Sequence, residues 1–222
     1  MGTKSFTGVF PFPCPDCIVT SPAGDLEFED GSSANAHTGM WLHHMHLVSL
    51  GREDETCDED TGLARIWASG NKPSLVDLSN NGTRKAALRI SQEIIGHTTE
   101  LMNESADARD AYPVLGIEHV PSSTPGFYKA IPLYLDVAGY CTDSAVPVPE
   151  GKDVFGRSIK WTIAYSGEIL GVWEHLHDGR TKQEVELNGE ALCEHVTRCG
   201  ESEEYVTHVG MFDEEPAGGE DV

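Results

Sequence analysis

Apolar residues along this chain come in short runs broken by glycine, proline and charge, never in long helical stripes. The strand-like runs are Phe6–Phe10, Cys17–Thr20, Leu26–Phe28, Trp41–Leu50, Ala64–Ala68, Thr98–Met102, Val114–Val120 and Tyr128–Val137. They continue with Ile159–Ala164, Ile169–His177, Gln183–Leu187, Ala191–Val196 and Tyr205–Phe212. Short runs at regular spacing, separated by turn residues, predict an all-β chain of antiparallel sandwich type. Asn188-Gly189 between two such runs is a two-residue hairpin signal. Arg84–Ile95 is the one segment with a helical reading, and its aliphatic residues fit a strand as well.

The segment Ser144–Asp153, SAVPVPEGKD, is rich in proline and charge and reads as a boundary. It predicts two β-sandwich halves: residues 1–145, and a shorter C-terminal half over 146–222. A chain of 222 residues has ample material for a core.

One strand breaks the apolar pattern. In Trp41–Leu50, WLHHMHLVSL, three of ten residues are histidines. Strict alternation places Trp41, His43, Met45 and Leu47 on one face and Leu42, His44, His46 and Val48 on the other. A single buried histidine is readily satisfied by a carbonyl. Three within four positions would each need a buried partner, which favours a metal. On a flat strand the adjacent His43 and His44 diverge, so sharing one ion requires a local twist or a bulge.

A second cluster, Glu174-His175-Leu176-His177, ends the run from Ile169. An HxH pair on a strand sends both imidazoles the same way, at a spacing suited to chelation. A cupin would carry a glutamate four or five positions later, where this chain has Thr181 and Lys182. Arg180 reads as a solvated turn residue. Further on, Met211 offers a thioether, a soft donor that favours copper over zinc, although methionine in such a run is also an ordinary core residue.

Charge narrows the partners. The chain has 37 acidic and 15 basic residues, a formal net charge of −22, which opposes binding to nucleic acid or an anionic membrane. No apolar run approaches the length of a membrane span. Six cysteines and the sequons Asn81-Gly82-Thr83 and Asn103-Glu104-Ser105 lean towards a secreted, disulfide-bonded glycoprotein. The chain's start shows no charged segment followed by an apolar one, so a signal peptide is not part of this sequence. Cys14-Pro15-Asp16-Cys17 reads instead as a redox CxxC or half a zinc site. Without a second CxxC, a tetrathiolate zinc site is disfavoured. Six cysteines allow fifteen pairings, and spacing does not choose among them.

His43-His44-Met45 in an apolar strand, followed far downstream by His175-Leu176-His177 and a methionine, resembles the copper monooxygenases of the peptidylglycine α-hydroxylating and dopamine β-monooxygenase family. Cys14–Ile18, Thr38-Gly39 with Trp41–Met45, Ala68–Gly70 and Gly171–Gly179 are similar to secreted fungal relatives of that family. The likeness runs from about residue 6 to 195.

The resemblance implies two jelly-roll domains with one copper each, facing across a solvent-filled cleft. One copper relays electrons; the other serves oxygen-dependent hydroxylation of a C–H bond, with ascorbate as reductant and a small molecule or peptide as substrate. It assigns His43 and His44 to the first site and His175 and His177 to the second; the family's methionine ligand lies in a strand well beyond the HxH, and Met211 is the expected substitute for it. The family's third histidine in the first site has no match in Thr98–Asn103, which offers Met102. Of His119, His46 and His97, the expected substitute is His119. Trp173 stands where peptide-amidating members carry a carboxylate-binding arginine, which argues against that substrate class. Two other functions fit the same residues: a copper-binding protein without catalysis, and a zinc hydrolase built on His175 and His177. The hydrolase lacks a well-placed base.

Overall fold

The computed structural model describes residues 2–57, 62–70, 76–91, 94–136, 151, 156, 160–173, 182–196, 198, 199, 212 and 213. The fold is all-β: among the described residues the only helical turn is a 3-10 turn at Ala36–Thr38, and no helix is long and apolar enough to cross a membrane.

Two four-stranded sheets form a sandwich. The first has the order β1 (Gly2–Val9), β6 (Ile94–Asn103), β3 (Met40–Leu50) and β4 (Leu63–Ser69), antiparallel throughout. The second has the order β7 (Ala111–Pro121), β2 (Asp16–Phe28), β5 (Ala86–Ser91) and β8 (Tyr128–Lys129). Only the short β5–β8 pairing is parallel. Val19, Leu26 and Ile90 from the second sheet meet Leu42, Met45, Leu47, Trp67 and Ile95 from the first in one buried core. In the second half of β2, buried Leu26 and Phe28 alternate with Asp25 and Glu27, as a strand with one buried face requires.

Several expected strands merge or move. Cys17–Thr20 and Leu26–Phe28 are the two ends of one 13-residue strand, β2. Among the described residues of the ambiguous segment Arg84–Ile95, Ala86–Ser91 form β5 and Ile94 and Ile95 open β6. Of the run Tyr128–Val137, the described residues give only the two-residue β8; residues 130–136 lie in no ladder, and Pro132 offers no backbone donor there. Ile159–Ala164 and Ile169–His177 were expected as strands. Their described residues, 160–164 and 169–173, lie in no ladder, and Ile163, Ile169 and Trp173 are exposed. Apolar content without burial against a partner strand does not make a sheet.

In the expected second half, β9 (Lys182–Leu187) and β10 (Glu190–Val196) form a hairpin, followed by the short pair β11 (Arg198–Cys199) and β12 (Phe212–Asp213). The hairpin turn is the one foreseen at Asn188-Gly189, both with positive φ (56° and 88°), as a type I′ turn demands.

Candidate metal centre

The site grows out of a frame change in β3. Met40 and Leu42 face the core, as do Met45 and Leu47, so the inward parity is even before residue 43 and odd after it. The ladder with β6 shows where the extra residue sits: Leu42 pairs with Leu101, but the next pair is His44 with Glu100. His43 is the inserted residue of a β-bulge. Burial on either side pins both registers, so the change of parity must be absorbed between Leu42 and Met45. The strict alternation expected from sequence therefore fails at one point. His43 leaves the Met45 face and joins His44 on the outer face.

That outer face is partly covered. Asn35 caps the 3-10 turn at Ala36–Thr38, Gly39 takes the left-handed conformation (φ 74°), and the chain enters β3. Ala36 and Met102 pack on buried Trp41, forming a small apolar floor beside the histidines.

The bulge stacks the His43 and His44 rings with centroids 3.9 Å apart. Both Nδ1 atoms reach one carboxylate oxygen, Glu100 Oε2, at 3.1 Å from His43 and 3.3 Å from His44. All three side chains are half-buried, reachable by an ion and partly shielded from water. One ligand atom from each lies within 4.8 Å of the other two, close enough to share a metal ion. Two imidazole nitrogens and a carboxylate oxygen suit a divalent transition metal, copper(II) and zinc included.

The expected third ligands are placed as follows. His46 lies on the same outer face, its ring centroid 5.9 Å from that of His44. His97 points to the inner side, edge-on to Phe6 and Phe10 at 5.7 and 5.6 Å, with Nδ1 against Thr99 Oγ1 at 2.9 Å. It is a half-buried histidine packed against Phe6 and Phe10, and burial pushes its pKa down. His119 stands on β7 in the opposite sheet, beside Cys14 and Cys17 rather than beside His43 and His44. The structure brings Glu100 to the pair instead. A signal for Glu100 existed in the sequence: it is the one carboxylate in the apolar run Thr98–Met102, directly opposite the histidine strand. His175, His177 and Met211 lie outside the described residues.

Cys14 and Cys17 are disulfide-bonded to each other. Cys57 is also in a disulfide.

Comparison with known proteins bears on which metal this is. Over 187 residues the chain is 29% identical to "Probable copper-dependent oxygenase M1" of a Phoma species, covering 82% of this chain and 47% of that protein. Over 177 residues it is 28% identical to "Probable copper-dependent oxygenase clz3" of Cochliobolus lunatus, covering 77% of this chain and 55% of that protein. The chain is a distant relative of fungal proteins named for copper. It spans about half the length of the curated relatives it matches. No family model and no solved structure matches it.

Proposed function

We propose that this chain holds copper at His43, His44 and Glu100 and serves a copper-dependent oxygenase that hydroxylates a C–H bond of a small-molecule or peptide substrate. The observation that carries the reading is the bulge at His43, which aims two adjacent imidazoles at one carboxylate in a chain similar to two such oxygenases. Bound copper supplies one-electron redox chemistry with dioxygen. The protein's part is to fix the donors. The β3–β6 ladder holds the two backbones and sets Glu100 opposite His44, so the two imidazoles and the carboxylate present their donor atoms together.

A second copper at His175, His177 and Met211, ascorbate as the reductant and a secreted location complete this proposal. The bridged Cys14, Cys17 and Cys57 support an oxidising compartment.

One observation favours a second reading, copper binding without catalysis. A carboxylate in place of a third imidazole is a harder donor, which stabilises Cu(II) over Cu(I) and opposes repeated reduction.

Metal content after copper loading and dialysis separates the two, combined with ascorbate-dependent oxygen uptake. Two coppers per chain, falling to one in His43→Ala/His44→Ala, with substrate-accelerated uptake, is the oxygenase result. Copper retained with no uptake is the binding-protein result. An unchanged copper count in that double variant would overturn the assignment of this site.

A further inference from the structure

A second constellation of metal donors lies at the opposite sheet. In β2 the core-facing residues at its start are Cys17 and Val19. Across the β2–β7 ladder, Cys17 pairs with Pro121 and Val19 with His119. Partners in an antiparallel pair project to the same face, so His119 shares the face of Cys17 and lies diagonal to it. It continues the inner row of Leu115 and Ile117, but at the rim of the sandwich, where it is exposed. Cys14 and Cys17 are buried just beneath. One donor atom from each of Cys14, Cys17 and His119 falls within 4.8 Å of the other two. Ser122 Oγ donates to Asp16 Oδ2 at 2.6 Å, fastening the end of β7 to the CPDC turn.

The bridge itself is a weak staple. It closes a loop with a sequence separation of only three, and constraint of the unfolded chain grows with loop length. Its chemistry is the better explanation for two sulfurs placed under an exposed imidazole.

We propose that Cys14, Cys17 and His119 form a redox-gated site for a soft metal ion, Zn²⁺ or Cu(I), closed while the disulfide is intact and open when it is reduced. An external dithiol supplies two electrons and two protons: its own two sulfurs join in a disulfide while the Cys14–Cys17 bond breaks into two thiols. Metal binding then releases both thiol protons and leaves two thiolates and one neutral imidazole as donors. The fourth position faces solvent at the rim, on the side of His119. Thiolates select soft ions, in contrast to the carboxylate-containing donor set at His43. The inference does not depend on what the His43 site binds.

The experiment uses the full chain, reduced with a phosphine under anaerobic conditions and freed of reagent, with Co²⁺ as an optical stand-in for Zn²⁺. The expected result is one tightly bound Co²⁺ with thiolate-to-metal charge-transfer absorbance, absent from the oxidised protein and retained in His43→Ala/His44→Ala. Cys14→Ser and Cys17→Ser each abolish the band. His119→Ala, with the thiols intact, loses more than the ~10–100-fold affinity that an outer-shell partner contributes. Circular dichroism of the reduced protein accompanies the titration. No band in a folded reduced chain would overturn the proposal, as would a band insensitive to His119→Ala or loss of the fold on reduction.

Discussion

Asp54 grips Arg65 through both carboxylate oxygens: Oδ2 accepts from Nε at 2.8 Å and from the backbone N–H at 3.0 Å, while Oδ1 accepts from Nη2 at 3.1 Å. The guanidinium also reaches Asp136 and lies over the Tyr134 ring, tying the loop after β3 to residues 134–136. Burial pushes the Asp54 carboxyl up, but hydrogen bonds from Arg65 and Thr56 outweigh it and hold the group well below the usual carboxylate range. A carboxyl depressed on folding contributes stability that is present above its unfolded pKa, near 4, and lost as pH falls below it. Asp54→Asn should cost about 3 kcal/mol at neutral pH, since it leaves a mostly buried guanidinium with its main partner gone. Urea unfolding at pH 7 and pH 3 checks both parts: the variant's deficit should shrink at the lower pH.

His97 titrates in a different window. Its pKa is lowered by burial, so the folded state resists protonating it. The unfolded chain therefore binds the proton first, and stability declines as pH falls below about 6.5, the unfolded value. His97→Phe keeps the aromatic packing against Phe6 and Phe10 and removes the proton site. The wild-type loss of stability between about pH 7 and pH 5 should be visibly smaller in that variant, as read by thermal melts. Equal slopes would show that His97 does not contribute.

Gly24 and Trp67 pack across the two sheets without room for a methyl group. A Cβ at Gly24 would lie 2.6 Å from Trp67 Cη2, far inside van der Waals contact, and Trp67 is buried. Gly24→Ala should destabilise by about 1–3 kcal/mol through overpacking. The same change in a Trp67→Leu background should cost much less, because the ring it strikes is gone. Additive costs in this double-mutant cycle would place the clash elsewhere.

Glu100 sets the preference of the proposed copper site. Glu100→Ala should weaken Cu(II) binding by at least about tenfold. Glu100→His restores a third donor as nitrogen and should shift the balance from Cu(II) towards Cu(I). Competition titrations against chelators selective for each oxidation state read both effects. If Glu100→Ala binds Cu(II) as tightly as the wild type, the carboxylate is no part of the site.

The sandwich was legible because its strands are bounded by glycine, proline and charge, and Asn188-Gly189 specifies its own turn. The histidine pair was legible by type, and the need for a bulge followed from adjacency alone. Its position also had a sequence signature. Met40 and Leu42 demand one parity, Met45 and Leu47 the other, so a frame change at His43–His44 is written in the apolar pattern. Glu100 was missed because ligands were sought among histidines, whereas strand pairing decides which side chain stands opposite. His119 was chosen as lying on the following strand. That strand, β7, belongs to the other sheet, and sheet membership depends on long-range pairing that local pattern does not encode. Tyr128–Val137 and Ile169–Trp173 show the reverse error, in which apolar content was read as strand without a partner to pair with.

The bulge at His43 has a consequence for how this chain can change over evolutionary time. Removing one residue from β3 on either side of it would turn one block of core side chains, Met40–Leu42 or Met45–Leu47, out towards solvent. Donor geometry and interior packing are thereby subject to the same length constraint. Substituting a donor, the carboxylate at Glu100 included, would retune the metal without disturbing the register, whereas a length change within either core block would disturb the interior; loss of the bulged residue alone keeps both blocks in frame.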